Sequence, residues 1–156
     1  MKPLACAALL LTACSGGSGP DISEEPVIAL DRNPIDVSAY VGTVSPVSLQ
    51  ILNQGRGTLT VSSVKLVALD GGALAALDAG GVFDQPLVAV DGGAAEVPPA
   101  VQIAGLQTGF VQFNYEPQSA GAAQALLVIV SDAPDSGTLT AAVNACAAAA
   151  DGGACD

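Results

Sequence analysis

The sequence contains no histidine and no tryptophan, and its aromatic residues are three phenylalanines and two tyrosines. Basic residues are scarce as well: four lysines and arginines stand against 15 aspartates and glutamates, so the formal net charge is −11. The lack of histidine excludes catalytic and metal-binding schemes that use an imidazole. The lack of basic residues argues against nucleic-acid binding, which needs lysine and arginine to neutralise phosphates, and against polybasic attachment to anionic lipid.

Hydrophobic residues make up 51% of the chain, which is too large a share for a disordered acidic protein. The sequence also has 18 glycines and 10 prolines, which favours many turns. A length of 156 residues is enough for one domain with its own core. We therefore expect a single folded domain.

The first 13 residues are typical of an export signal. Lys2 supplies a positive charge, and Leu4 to Ala13 form a run of ten mostly apolar residues. As a helix this run would be about 15 Å long, half the roughly 30 Å hydrocarbon core of a bilayer. The run is too short to span a membrane, which predicts a cleavable signal peptide.

The run ends in Leu11-Thr12-Ala13-Cys14, which resembles the bacterial lipobox, Leu-x-(Ala/Gly)-Cys. The resemblance implies diacylglyceryl transfer to the thiol of Cys14 and cleavage between Ala13 and Cys14. The alternative is a secretory signal that happens to contain a cysteine. We expect a signal peptide at 1–13, a lipidated flexible tether at 14–25, and anchoring to a bacterial membrane through Cys14, in the outer membrane or at the cell surface.

From residue 26 to residue 144, short β-forming runs alternate with turn residues, which is typical of a β-sandwich. Asn53 to Gly57 has the composition of a hairpin loop. Apolar and polar residues alternate at 47–52, and Val111, Phe113 and Tyr115 share one face of the run at 110–115; both patterns predict strands, with Phe113 in the core. In the strand that follows the hairpin loop, the period-2 pattern slips by one residue at Ser62-Ser63, which indicates a β-bulge. Residues 124–131 are nearly all apolar and predict a central strand covered on both sides, and residues 74–78 are compatible with one helical turn. The last strand is predicted at 138–143.

Three segments resemble the ASH (abnormal-spindle/hydin) type of immunoglobulin-like domain, which includes the bacterial choice-of-anchor D repeats. They are Leu49-x-Ile51-x-Asn53-x-Gly55-x-Gly57, Val111-x-Phe113-x-Tyr115-x-Pro117, and Leu127-x-Ile129-x-Ser131-Asp132-Ala133-Pro134. Val41-Gly42 replaces the family's early Phe-Gly pair, and Asn144 replaces its terminal glycine. The resemblance implies an all-β, immunoglobulin-like β-sandwich of about seven or eight strands. It also implies a role in binding or spacing, with no catalytic residues to transfer.

The residues with chemical potential are few. The turns that begin at Asp70, Asp78 and Asp91 continue into paired glycines and carry oxygen ligands suited to Ca²⁺, but they lack the regular spacing of a calcium loop. They support an alternative function, a solute- or calcium-binding envelope lipoprotein. No nucleophile has a base beside it in the sequence, and no residue set predicts a metal or cofactor.

Cys146 and Cys155 lie in an alanine- and glycine-rich stretch at 145–156. In an oxidising envelope compartment we expect them to form a disulfide with each other, although pairing with another chain is an alternative. We expect this stretch to be a mobile appendage, so the bridge that constrains it should contribute under about 1 kcal/mol to the stability of the sandwich.

These patterns together predict a non-enzymatic, lipid-anchored cell-envelope protein without a cofactor. Its immunoglobulin-like module would serve in adhesion, spacing or protein–protein scaffolding. The expected partners are the membrane, through the lipid on Cys14, and another envelope or surface protein. Nucleic acid is not expected.

Overall fold

The computed structural model describes residues 22–70, 73–76, 83–90 and 100–149; for 68–70 and 73–76 it describes the backbone. These ranges contain ten β-strands and no helix. The strands are β1 (Ile28–Leu30), β2 (Ile35–Tyr40), β3 (Ser45–Asn53), β4 (Leu59–Asp70), β5 (Ala73–Ala76), β6 (Leu87–Val90), β7 (Val101–Ile103), β8 (Thr108–Tyr115), β9 (Gly121–Ser131) and β10 (Thr138–Ala148). The described part of the chain therefore holds no helix long and apolar enough to cross a membrane.

The strands form two sheets around one core. One sheet has the order β1-β3-β8-β6, and the other has the order β2-β10-β9-β4-β5, with β7 paired to β4 as well. β1 and β2 follow each other in the chain but lie in different sheets, so the chain crosses between the sheets at residues 31–34. This crossing and the short strands β5 and β7 explain why the described ranges contain more strands than the expected seven or eight.

Alternation of apolar and polar residues along the strands determines which side chains form the core. On β3, Val47, Leu49 and Ile51 face inward and are at most 6% exposed, while the polar residues between them face solvent. β8 repeats the pattern with Val111, Phe113 and Tyr115 inward, as the sequence predicts. The all-β expectation and the period-2 reading of these strands are confirmed.

The predicted bulge is confirmed, and the predicted hairpin is wrong. The register between β4 and β9 shifts between Val61 and Ser63, which leaves Ser62 as the additional residue. β3 and β4, in contrast, lie in different sheets and do not pair. The glycine-rich residues after Asn53 therefore form a connection between the sheets, because β3 pairs with β1 and β8 instead.

Residues 74–78 were compatible with one helical turn, but 74–76 belong to strand β5 (Ala73–Ala76), and 77–78 lie outside the described residues. β5 pairs antiparallel with the end of β4, from Asp70↔Ala73 to Val67↔Ala76. An isolated helical turn gains too few hydrogen bonds to be stable. Pairing with β4 supplies partners for the same backbone groups, so the strand is favoured.

Both predicted ends of the domain are corrected. β10 runs to Ala148 and pairs in parallel with β2 up to Ala148↔Tyr40, and Ala145 and Ala147 are only 4% and 2% exposed. These residues belong to the sandwich and not to an appendage. At the other end, the backbone N–H of Arg56 donates to the carbonyl of Ser23 (2.8 Å), so the predicted tether already contacts the domain before residue 25.

The prediction that residues 124–131 are covered on both sides is also corrected. Ala125, Leu127 and Ile129 point inward and are at most 1% exposed. The residues between them on the outer face, Leu126 and Val128, are only partly buried. β9 is central within its sheet, between β10 and β4, but its outer face is not fully enclosed by the described residues.

Candidate interaction surface

The structure describes one of the predicted site residues. Ala13, Cys14 and Cys155 lie outside the described residues. Cys146 is disulfide-bonded, and its pairing with Cys155 remains a prediction. Cys146 lies within β10, in register with Ser38 of β2 and Ala122 of β9, and not after the last strand as the sequence predicted.

The aspartate–glycine turns of the alternative function also lie largely outside the described residues, which include the backbone of Asp70 but neither Asp78 nor Asp91. Within the part of the chain that is described, no three histidine, cysteine, aspartate or glutamate residues are grouped as metal ligands would be. The described residues therefore give no support to a metal site.

One end of the sandwich is organised around Asn53, and we call it the N-terminal pole. It consists of the N-terminal segment at 22–27, the β3–β4 connection at 54–58, and the turn at 104–107 between β7 and β8. Hydrogen bonds between backbone groups join these three segments: Arg56 donates to Ser23 (2.8 Å), Gln54 donates to Val27 (2.8 Å), and Leu106 donates to Gly55 (2.9 Å).

Asn53 is 2% exposed and is the one polar residue buried among the described residues. Its Oδ1 accepts from the N–H groups of Val27 (3.3 Å) and Gly55 (3.2 Å). Its Nδ2 lies 2.7 Å from the carbonyl oxygen of Gly57 and 3.1 Å from those of Ile103 and Ala104. The sequence does not indicate this network, because Asn53 begins a glycine-containing segment and therefore has the pattern of an ordinary turn residue.

The opposite pole contains the turn after β2. The N–H of Val41 donates to the carbonyl of Ala148 (3.0 Å), and that of Gly42 donates to the carbonyl of Pro117 (2.9 Å). Gly42 has a φ of 77°, which glycine adopts without strain. The hydroxyl of Thr43 donates to the carbonyl of Tyr40 (2.7 Å). These contacts hold the turn against the end of β10 and the connection between β8 and β9.

The turn presents two large apolar side chains to solvent. Tyr40 is 59% exposed and Val44 is 55% exposed. Tyrosine offers a large contact area at a low cost in side-chain entropy and is enriched in protein–protein interfaces. An exposed tyrosine and valine on a rigid turn are therefore suited to binding a partner.

β2 itself lies at the edge of its sheet and pairs there with β10. A shallow depression of about 380 Å³ lies beside Asp36, Ser38 and Asn144, and a second one of about 350 Å³ lies beside Ser38, Tyr40 and Val44. Ser38 lines both, so the depressions follow the strand continuously. We call this region the β2 surface; it comprises Asp36, Ser38, Tyr40, Thr43 and Val44.

The polar end of the β2 surface is ordered by side-chain hydrogen bonds. Nδ2 of Asn144 lies 3.0 Å from Oδ1 of Asp36, and Nε2 of Gln124 lies 3.4 Å from Oδ1 of Asn144. Asn144, which replaces the glycine of the resembled family, thus links β2, β10 and β9 on the outer face. The sequence alone gave no reason to connect these three residues, because the parallel pairing of β2 with β10 joins residues 108 positions apart.

The aromatic residues of β8 serve the core. Tyr115 is 1% exposed, its ring centroid lies 5.0 Å from that of Phe83, and burial raises the pKa of its hydroxyl above the usual 10.0. Phe83 also contacts Phe113, with ring centroids 6.1 Å apart. Phe113 is therefore committed to the core, as expected, and these rings are not available to stack on a ligand.

Comparison with solved structures agrees with this architecture. The ASH/PapD-like domain 7 of human CEP192 superimposes with a TM-score of 0.51 at 12% identity, over 92% of this chain and 99% of that chain. The fold is an all-β, immunoglobulin-like β-sandwich, similar to that ASH/PapD-like domain. No protein-family model and no curated protein matches the sequence. The expected fold class is therefore confirmed by structure.

Two further similarities extend over part of the matched chains. The class 5 fimbriae chaperone CfaA matches with a TM-score of 0.52 at 8% identity, over 76% of this chain and 55% of that chain. A family 123 glycoside hydrolase from Clostridium perfringens matches with a TM-score of 0.55 at 8% identity, over 75% of this chain and 23% of the hydrolase. At these identities the similarity concerns the β-sandwich fold and not activity.

Proposed function

We propose that the chain is a lipid-anchored protein of a bacterial cell envelope. Its ASH/PapD-like domain binds another envelope or surface protein through the β2 surface and acts in adhesion, spacing or scaffolding, without catalysis. The observation that carries this proposal is the exposed edge strand β2, which ends in the exposed side chains of Tyr40 and Val44. An edge strand offers unpaired backbone groups, and the aromatic side chain adds an anchor for a partner.

The position of the β2 surface also supports the proposal. The N-terminal segment enters the domain at the N-terminal pole, where Ser23 bonds to Arg56. Tyr40 and Val44 lie at the opposite pole, which is about 35 Å away along the 11 residues of β9. A tether that begins at a lipidated Cys14 would leave this opposite pole directed away from the membrane.

Site-specific crosslinking in intact cells tests the proposal. A photoreactive amino acid replaces Tyr40 or Val44, and a matched probe replaces Ser62, which is also exposed but lies on β4, across the same sheet from β2. We expect discrete crosslinked species from probes at positions 40 and 44 and none of these species from the probe at 62. With the probe at 40, we expect Val44→Asp to reduce the amount of crosslinked product. Equal crosslinking from all three positions would show that β2 is not the binding surface.

A calcium titration separates the alternative function. If the aspartate–glycine turns hold Ca²⁺ in the folded domain, millimolar Ca²⁺ raises the melting temperature by several degrees, because a ligand selective for the native state stabilises it. The binding role proposed here predicts no such rise.

A further inference from the structure

Leu106 combines a strained backbone with an exposed apolar side chain. The φ of Leu106 is 60°, in the left-handed region that glycine or asparagine occupies at a lower cost in free energy. Leu106 is also 55% exposed. Because the side chain is largely exposed, its burial does not offset the cost of the strained backbone. A strained, exposed leucine at a loop tip is the kind of outlier that points to a function.

The loop that carries Leu106 is rigid. Its backbone N–H donates to the carbonyl of Gly55 (2.9 Å), and the N–H of Gln107 donates to that of Ala104 (3.1 Å). Gly105 packs so closely on the β3–β4 connection that a Cβ there would lie 2.1 Å from the carbonyl oxygen of Arg56. These contacts therefore fix the backbone of Leu106 at the N-terminal pole.

A second exposed apolar residue, Ile22, lies at the same pole and is 40% exposed. It precedes Ser23, whose carbonyl accepts from Arg56, and Arg56 follows Gly55, to which Leu106 is bonded. The backbone contacts thus place Ile22 and Leu106 on one end of the domain. Both are remote from Tyr40 and Val44.

The length of chain before Ile22 indicates what these residues face. Cys14 precedes Ile22 by eight residues, which span at most roughly 27 Å when fully extended. We propose that Ile22 and Leu106 contact the lipid bilayer and seat the domain on the membrane by its N-terminal pole; this inference depends on the lipid anchor of the proposed function. The anchor makes the contact intramolecular, so two apolar side chains are enough for a preferred orientation.

The charges at this pole indicate which lipid headgroups the proposed contact favours. Arg56 is paired with Glu24 (3.0 Å), and Glu25, Asp132 and Asp135 add negative charge at the same end of the sandwich. A surface of this sign is repelled by anionic headgroups. The proposed contact is therefore with a zwitterionic bilayer.

The absence of tryptophan from the chain allows a direct test. Leu106→Trp and Val44→Trp each introduce a single tryptophan, which can be excited selectively over the two tyrosines, and the two parent residues are equally exposed at 55% on opposite poles. The lipidated variants are reconstituted in phosphatidylcholine vesicles with brominated acyl chains, which quench nearby tryptophan. We expect quenching at position 106 to exceed that at position 44 on the order of twofold; Ile22→Trp serves as a second reporter of the N-terminal pole.

The outcomes separate this inference from the proposed function. Equal quenching at positions 44 and 106, or none at 106 and 22, from protein that floats with the vesicles would overturn the seating and leave the anchor intact. Protein that does not float with the vesicles would overturn both the anchor and the seating.

Discussion

At the scale of single residues, the hydrogen bonds of Asn53 are expected to contribute strongly to stability. It satisfies two backbone donors and three backbone acceptors from three segments of the N-terminal pole. A buried polar group left without a partner costs about 1–3 kcal/mol. Asn53→Ala leaves several such groups, so we expect the free energy of unfolding to fall by about 3 kcal/mol, measured by urea denaturation.

Two comparison variants make this prediction specific. Asn114→Ala removes an exposed side-chain bond to Asp84 (3.0 Å) and is expected to cost under about 0.5 kcal/mol. Asn53→Asp places a carboxylate against three carbonyl oxygens, which raises its pKa in the folded state. That variant is then most stable at low pH and loses stability as the pH rises through the raised pKa. Equal stability of Asn53→Ala and Asn114→Ala would contradict the role given to Asn53.

At the scale of elements, the extension of β10 is the feature that differs most from sequence expectation. Ala147 is 2% exposed and faces the core, whereas Ala148 is only partly buried on the other face. Ala147→Asp buries an unpaired charge and is expected to lower the free energy of unfolding by more than about 3 kcal/mol, while Ala148→Asp costs under about 1 kcal/mol. Thermal unfolding measures both. If Ala147→Asp is as stable as Ala148→Asp, these residues form an appendage after all.

The elements also show where sequence reasoning succeeds and fails. Period-2 alternation predicted β3, β8 and the bulge at Ser62-Ser63, because these features depend on residues that are neighbours in the chain. The end of β10 was missed because Ala145 and Ala147 carry no strong β signal; parallel pairing with β2, about 108 positions away, makes them strand residues. The hairpin at Asn53–Gly57 was mispredicted for the same reason, since turn composition does not reveal whether the flanking strands pair.

The exposed residues of the β2 surface and of the N-terminal pole could not be predicted from the sequence for a further reason. Tyr40, Val44 and Leu106 are apolar residues that a pattern assigns to a core, and exposure becomes visible only when the packing is known. Cys146 is disulfide-bonded and lies within β10, so one end of its bridge is inside the sheet; its pairing with Cys155 stays a prediction.

At the scale of the whole molecule, the domain has two distinct ends. The N-terminal pole receives the tether and presents Ile22 and Leu106, while the opposite pole presents Tyr40 and Val44 beside the edge strand β2. With the proposed lipid on Cys14, such an arrangement would hold the β2 surface at a fixed height above a membrane. The proposed orientation therefore depends on the modification of Cys14.

Substitution of Cys14 is the most direct test of this account. In a bacterial host with the lipoprotein machinery, the parent protein is expected to fractionate with membranes and to incorporate labelled palmitate. Cys14→Ser removes the thiol that accepts the diacylglyceryl group, so it should incorporate no palmitate and should either retain its signal peptide or appear in the soluble fraction. Cys146→Ser is the matched control and should label like the parent. A Cys14→Ser protein that labels and fractionates like the parent would contradict the account.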